Sequence, residues 1–229
     1  MGISTEKQQN KYRFERKFTI KPDVQYNFLT ELIKSGFSEI YNERTINNVY
    51  LDSYSFNSVI DNIEGVSNRK KTRIRWYGDM FANSKKKIEF KIKSADVNRK
   101  ESILLSKSKL ESLDNSSLFW EAIKNKLETK NNHKFYLHKL FSLQPTLINS
   151  YNRNYYLNAD ESIRVTIDRD LFFYSPIYKT KAHDQDLVIE FKYNSENLLR
   201  DNLFHNLNLT KYSKYVKGIL STSTFKPIY

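Results

Sequence analysis

Five separate segments of this 229-residue chain carry charged or polar side chains at every second position. The sets are Arg13/Glu15/Lys17, Lys71/Arg73/Arg75, Glu89/Lys91/Lys93, Arg164/Thr166/Asp168 and Glu190/Lys192. Period two is the mark of a β-strand, whose successive side chains point to opposite faces. The positions between them are mostly apolar or aromatic, for example Ile74 and Trp76, or Ile88, Phe90 and Ile92. Two readings are open. In the first, each face is an ordinary solvated one, with varied and interchangeable charges. Alternatively, five strands with one theme build a closed barrel with a charged interior and a greasy exterior covered by helices.

Composition narrows the chemistry. Lys and Arg total 38 against 26 Asp and Glu, a net charge of +12, which asks for an anionic partner. The 16 Tyr and 15 Phe argue against a disordered basic tail, because the rings have to pack. There is no cysteine, so there is no disulfide framework, thiol nucleophile or thiolate metal site. The closest of the four histidines, His133 and His138, are five apart, off the four-residue step of a helical zinc pair. The five glycines are too scattered for a phosphate-cradling loop, so any phosphate must be held by side chains. No window approaches the roughly 20 apolar residues of a membrane span. The polar N-terminus lacks a signal-peptide core, and Glu6 spoils a myristoylation signal. A cytoplasmic location is expected.

No proline- or glycine-rich linker divides the chain, which reads as one domain over residues 12–229 after a flexible start at 1–11. Strands are expected at Tyr12–Ile20, Asn47–Asp52, Lys70–Tyr77, Lys86–Lys93, Thr146–Leu157, Ile163–Leu171 and Leu187–Tyr193. Pro22 and Asp23 open a helix to about Lys34 with Val24, Phe28, Leu29, Leu32 and Ile33 as its apolar face, and Gly36 ends it. Two or three helices fit Ser106–Phe141, one fits Ser195–Leu207, and a short one fits Tyr212–Leu220.

A barrel interior crowded with Arg and Lys needs a multivalent anion, since unpaired buried charges are costly. The interspersed carboxylates would pair with some of the bases and hold a hard divalent cation through oxygen. Arg13, Lys192 and Arg164 belong to these faces and are candidate substrate contacts.

Seven ordered pieces now carry a resemblance. They are Glu15-Arg16-Lys17, Arg73-Ile74-Arg75-Trp76-Tyr77, Glu89-Phe90-Lys91, Ser150-Tyr151-Asn152-Arg153, Arg164-Val165-Thr166-Ile167-Asp168, Glu190-Phe191-Lys192 and Lys211-Tyr212-Ser213-Lys214. Over about Tyr12 to Leu220 the chain resembles VTC domains, the polyphosphate-polymerase branch of the triphosphate tunnel metalloenzymes. The resemblance implies an α+β fold: a closed antiparallel eight-stranded β-barrel tunnel with helices packed outside. It also implies a polyphosphate polymerase that transfers the ATP γ-phosphoryl group to a growing chain, with a divalent metal (Mn²⁺ or Mg²⁺) as cofactor. Carried over by position, Lys17, Arg73, Arg75, Lys91, Arg153, Lys211 and Lys214 would contact phosphates. Tyr151 and Ser213 would add hydroxyls. Glu190 would be the metal ligand, with Glu89 a second candidate.

One departure is informative. Hydrolase and cyclase branches of that superfamily begin Glu-x-Glu-x-Lys, whereas Arg13 here gives Arg-x-Glu-x-Lys. A metal-binding carboxylate is missing, which favours the polymerase branch. Phosphoryl transfer needs alignment and neutralisation of charge, and an anionic acceptor needs no activated water. No general base is evident, which is awkward for a hydrolase. The runner-up is an inorganic tri- or polyphosphatase on the same scaffold.

A nucleic-acid-binding module, suggested by Arg69-Lys70-Lys71 and Arg73-Ile74-Arg75-Trp76-Tyr77, is not expected, because carboxylates share the basic faces. The chain is expected to act as a stand-alone catalytic domain. A membrane-protein partner would suit a polymer leaving a tunnel, but no residue marks one. Trp76 and Trp120 read as packing residues, and Glu15 and Asp168 as ion-pair partners rather than metal ligands.

Overall fold

The computed structural model describes residues 14–94, 97–128, 134–194, 207 and 209–223. The expectations of a flexible 1–11 segment and of a helix over Ser195–Leu207 fall outside the described residues, apart from Leu207. The ten strands are β1 (Phe14–Ile20), β2 (Phe37–Asp52), β3 (Arg69–Tyr77), β4 (Ser84–Ser94), β5 (Val97–Ser108), β6 (Leu127–Glu128), β7 (Gln144–Asn158), β8 (Ile163–Ser175), β9 (Thr180–Asp184) and β10 (Leu187–Tyr193). The helices are α1 (Gln25–Lys34), α2 (Asn57–Ile63), α3 (Ser116–Lys124), α4 (Lys134–Leu140) and α5 (Lys214–Thr222). Among the described residues no helix is long and apolar enough to cross a membrane.

The chain divides into two compact units. The first holds residues up to Glu43, Arg153–Arg169 and Gln185–Tyr212, and the second holds Arg44–Asn152, Asp170–Asp184 and Ser213–Tyr229. Each has its own core. In the first unit Phe18, Ile20, Val165, Ile167, Ile189 and Phe191 pack with Phe28 and Leu32 of α1. In the second, Ile74, Trp76, Ile88, Phe90, Ile103 and Leu105 pack with Phe119, Trp120 and Ile123 of α3 and Leu140 of α4. In both cases these are the apolar faces opposite the charged sets. The helices therefore cover the greasy side of each sheet region, which leaves the charged side for a ligand or for water.

In the first unit β10 lies between β1 and β8, antiparallel to both. In the second the antiparallel order β2-β3-β4-β5-β6 builds the sheet, and β9 pairs with the end of β8. The full hydrogen-bonded path is β1-β10-β8-β7-β2-β3-β4-β5-β6. Its two ends, β1 and β6, are not joined among the described residues, so the expected closed eight-stranded barrel is replaced by an open ten-stranded sheet. Closure needs a free edge at both ends. The outer edge of β1 is engaged by Leu209, which bridges Phe18, and by Thr210, whose amide donates to the Lys17 carbonyl at 2.9 Å. The other end, β6, has two residues only.

Several boundaries differ from the sequence reading. β2 begins ten residues early, at Phe37, and β5, β9 and α2 were not anticipated. In α1 the buried residues are Phe28 and Leu32, four apart, while Val24 and Ile33 of the expected face are exposed. Gly36 follows this helix with φ +83°, the left-handed turn that glycine adopts without strain.

Helix α5 is fixed to the second unit by a close approach at Gly218. A Cβ there would press into Leu147 and stand 2.7 Å from Phe173 Cδ1, and both side chains are fully buried. Alanine favours a helix over glycine by about 1 kcal/mol, but overpacking a filled core costs about 1–3 kcal/mol. Gly218→Ala is therefore expected to lower Tm in a thermal melt, and an unchanged or raised Tm would show that the neighbours yield.

Candidate functional site

In the first unit the β1-β10-β8 registers place two rows across three strands. One row is Lys17, Glu190 and Thr166, and the other is Glu15, Lys192 and Arg164. The Lys17 ammonium lies 3.0 Å from Glu15 Oε1 and 3.4 Å from Glu190 Oε2. Lys192 repeats the arrangement, 3.0 Å from Glu190 Oε1 and 3.6 Å from Glu15 Oε2. Burial works against the Glu190 charge, but Lys17, Lys192 and Arg153 overcome it, and the carboxyl titrates well below the usual range. Burial likewise works against the Lys17 charge, and Glu190 and Glu15 raise its pKa above the ordinary value.

Beside this quartet, Arg153 on β7 makes a two-pronged pair with Asp168, its Nη2 2.7 Å from Oδ2. The guanidinium carbons of Arg153 and Arg164 lie 6.0 and 5.8 Å from the Tyr155 ring centroid. The Arg164 Nε and the Thr166 hydroxyl are buried with no hydrogen-bond partner among the described residues.

The second unit is different in charge. Register places Lys71, Arg73 and Arg75 of β3 opposite Lys91, Glu89 and Lys87 of β4, and Lys91 opposite Lys100 of β5. Glu89 is the one carboxylate in these rows and is 5% exposed. Arg73 reaches it at 2.7 and 2.8 Å, Lys100 at 2.9 Å and Arg75 at 3.8 Å. Burial would raise the Glu89 pKa, yet Arg73, Arg75 and Lys100 bring it down to about 2.

Neutral partners hold the remaining groups. Arg75 Nε donates to Asn48 Oδ1 at 2.9 Å, and Asn48 in turn donates to Asn149 at 3.3 Å, both amides being fully buried. Arg75 also lies 3.4 Å from the Tyr151 hydroxyl, and the Lys214 ammonium stands over the Tyr151 ring at 4.7 Å. Ser213 caps α5, accepting from the Val216 amide and from Lys71 at 2.9 Å. Tyr215 anchors that helix: it stacks on Tyr50 at 4.5 Å and donates to Asp52 at 2.8 Å, and Asp52 accepts the Ser53 and Ser58 amides. Burial, then Asp52, hold the Tyr215 hydroxyl well above its ordinary pKa.

Of the residues singled out from sequence, Lys17, Glu190, Lys192, Arg153 and Arg164 thus fall in the first unit. Arg73, Arg75, Glu89, Lys91, Tyr151, Ser213 and Lys214 fall in the second. Lys211 is exposed in the first unit, and Arg13 lies outside the described residues. Sequence reasoning passed over Lys100, Asn48, Asn149 and Tyr155. Lys100 had a usable signal, a base in step with Ser102 on a strand that was not recognised.

The Glu89 geometry has a pH consequence. Its folded pKa of about 2 lies below the ordinary 4.5, so its stabilisation is complete above about pH 4.5 and is lost as pH falls towards 2. The size is on the order of 3 kcal/mol. Glu89→Gln is expected to lower stability at pH 7 and to flatten the stability–pH curve between pH 5 and 2. Denaturant melts across that range check it, and a slope equal to wild type would refute it.

The model of the VTC domain family matches residues 12–223, a span that runs through both units. No curated protein matches the sequence at a significant level. Among solved structures, a conserved hypothetical protein of Pyrococcus furiosus is similar at 12% identity and TM-score 0.46, covering 90% of this chain and 98% of that one. A Pyrococcus horikoshii protein is similar at 8% identity and TM-score 0.45, with 89% and 97% coverage. A Hippeastrum protein described with a dominant triphosphatase activity is similar at 12% identity and TM-score 0.40, with 81% of each chain covered. These TM-scores lie below 0.5, so the assignment rests on the family model, whose match includes six motif pieces that lie on strands and a seventh that leads into α5: the chain belongs to the VTC domain family.

Proposed function

We propose that this protein is a metal-dependent polyphosphate polymerase that transfers the γ-phosphoryl group of ATP to a growing inorganic polyphosphate chain. The observation that carries this is the contrast in charge between the two sets of strand faces. In the first unit Lys17, Lys192, Arg153 and Arg164 are balanced against Glu15, Glu190 and Asp168. In the second, Lys71, Arg73, Arg75, Lys87, Lys91 and Lys100 share one carboxylate, Glu89. Lysines directly opposite one another across strands repel, as Lys71, Lys91 and Lys100 do, and a polyanion relieves that repulsion.

The roles divide accordingly. Arg73 and Arg75 offer forked donors to phosphate oxygens, and Lys71, Lys91 and Lys214 offer compact charge. Tyr151 and Ser213 add hydroxyls. Arg75, directed by a neutral amide, can turn its outer nitrogens to a ligand without leaving a carboxylate unpaired. For the divalent cation, the chemistry of the donor set favours Glu190. Glu190 and Glu15 share two ammoniums, so a bound anion can draw the lysines to itself and leave two hard oxygen ligands to a metal. Among the described residues no three His, Cys, Asp or Glu stand together. One or two carboxylates completed by water and phosphate oxygens is the usual Mg²⁺ arrangement, and the residues present fit it. Glu89, held by three cations, is the weaker candidate. The cation would neutralise charge on the transferred phosphoryl group.

The charged carboxylates also bear on the acceptor. Glu15, Glu89, Asp168 and Glu190 are all engaged by lysine or arginine, which leaves none of them poised to activate water. A terminal phosphate is already an anion and needs no such base. Bringing two anions together costs about 4 kcal/mol at 4 Å and an effective dielectric near 20, so added positive charge matters more to extension than to hydrolysis.

Purified protein incubated with ATP and Mn²⁺ is expected to yield polymer on a gel. The double variant Lys211→Ala, Lys214→Ala is expected to lose chain extension at least tenfold more than release of orthophosphate. Orthophosphate as the sole product of the wild type would refute the polymerase and support a triphosphatase on the same scaffold.

A further inference from the structure

A buried polar atom without a partner is uncommon in a folded protein, because leaving one costs about 1–3 kcal/mol. Among the described residues such atoms occur in Ser108, Arg164, Thr166, Arg169 and Thr210. Thr166 stands out by its surroundings. Its side chain is 5% exposed, and the register sets it directly opposite Glu190, on the strand face that also carries Arg164, Lys192, Lys17 and Glu15.

A hydroxyl facing a carboxylate across two strands would ordinarily donate to it. Here the Glu190 oxygens are engaged by Lys17 and Lys192, and the threonine oxygen has no bond among the described residues. Valine has the same shape, suits a β-strand equally well and would remove the penalty. The hydroxyl therefore contributes nothing to the ligand-free fold that valine would not.

We infer that Thr166 is a third oxygen donor of the cation site formed with Glu190 and Glu15, an assignment that rests on the proposed role of Glu190. A hard divalent cation collects oxygen ligands of mixed type, and a hydroxyl is among those Mg²⁺ accepts beside phosphates. When a cation takes the carboxylates, Lys17 and Lys192 are repelled from them and are free to hold phosphate. The Thr166 oxygen then offers a lone pair to the cation, directly or through one coordinated water. The penalty borne by the ligand-free protein is relieved only in the loaded one, and this adds to the preference for binding.

Titration of the wild type with Mn²⁺ alone, followed by the electron paramagnetic resonance signal of the free ion, tests this without any turnover. Thr166→Val is expected to weaken Mn²⁺ binding about tenfold, while Thr166→Ser, which restores an oxygen, stays within about threefold of wild type. The metal-free Tm of Thr166→Val is expected to equal or exceed that of wild type, a readout that a hydroxyl with a structural role would move the other way. Wild-type Mn²⁺ affinity in Thr166→Val, or a fall in its metal-free Tm, overturns the assignment. The parent reading fails separately: Mn²⁺ binding that is absent in the wild type, or unaltered by Glu190→Gln, removes Glu190 as the ligand and Thr166 with it. Binding lost in Glu190→Gln but kept in Thr166→Val removes Thr166 alone.

Discussion

An ammonium shared between two carboxylates, as Lys17 is between Glu15 and Glu190, can exist half-buried only because its charge is answered on both sides. Removing either carboxylate would leave two ammoniums, Lys17 and Lys192, on one acid, and uncompensated charge in a region of low dielectric costs several kcal/mol. The need for compensation governs how the strands of the first unit are written. Lys17 on β1 and Lys192 on β10 each have a carboxylate one strand away, in register: Glu190 and Glu15. Breaking one pair would disturb the next, since Lys192 bridges the same two acids.

The same rule is relaxed in the second unit. There Glu89 is surrounded by Arg73, Arg75 and Lys100, while Arg75 also meets an amide, Lys71 a hydroxyl and Lys214 a ring. Such a face is tolerated because its opposite side carries the core, with Ile74, Ile88, Phe90 and Ile103 packed under α3. Core burial supplies the stability that the charged side does not. The division of labour is thus made within single strands, alternate residues serving the core and the charged face.

Much of this was legible in the sequence, for a physical reason: alternation is local, and it survives whatever the sheet does at larger scale. The polar faces, the strands that carry them and the covering helices all follow from it. Closure does not. Inward and outward positions alternate identically in an open and a closed sheet, and whether β1 meets another strand or the Leu209–Thr210 segment is decided by chain far away. The first half of β2 and the start of β5 are polar on both sides, so their periodicity is faint, and α2 has seven residues, barely two turns. The ion-pair partners were hidden for the same reason as closure. Lys100 meets Glu89 only because β5 runs back along β4.

The two arginines on β3 are steered by chemically different neighbours, Arg73 by a carboxylate and Arg75 by the Asn48 amide, itself tied to Asn149. A carboxylate loses its grip when it is protonated, and a neutral amide does not. Strong acid would therefore loosen Arg73 while Arg75 kept its bond to Asn48. The pair amounts to a variable contact beside a constant one: of the two guanidinium groups, only one has its main anchor removed by a proton.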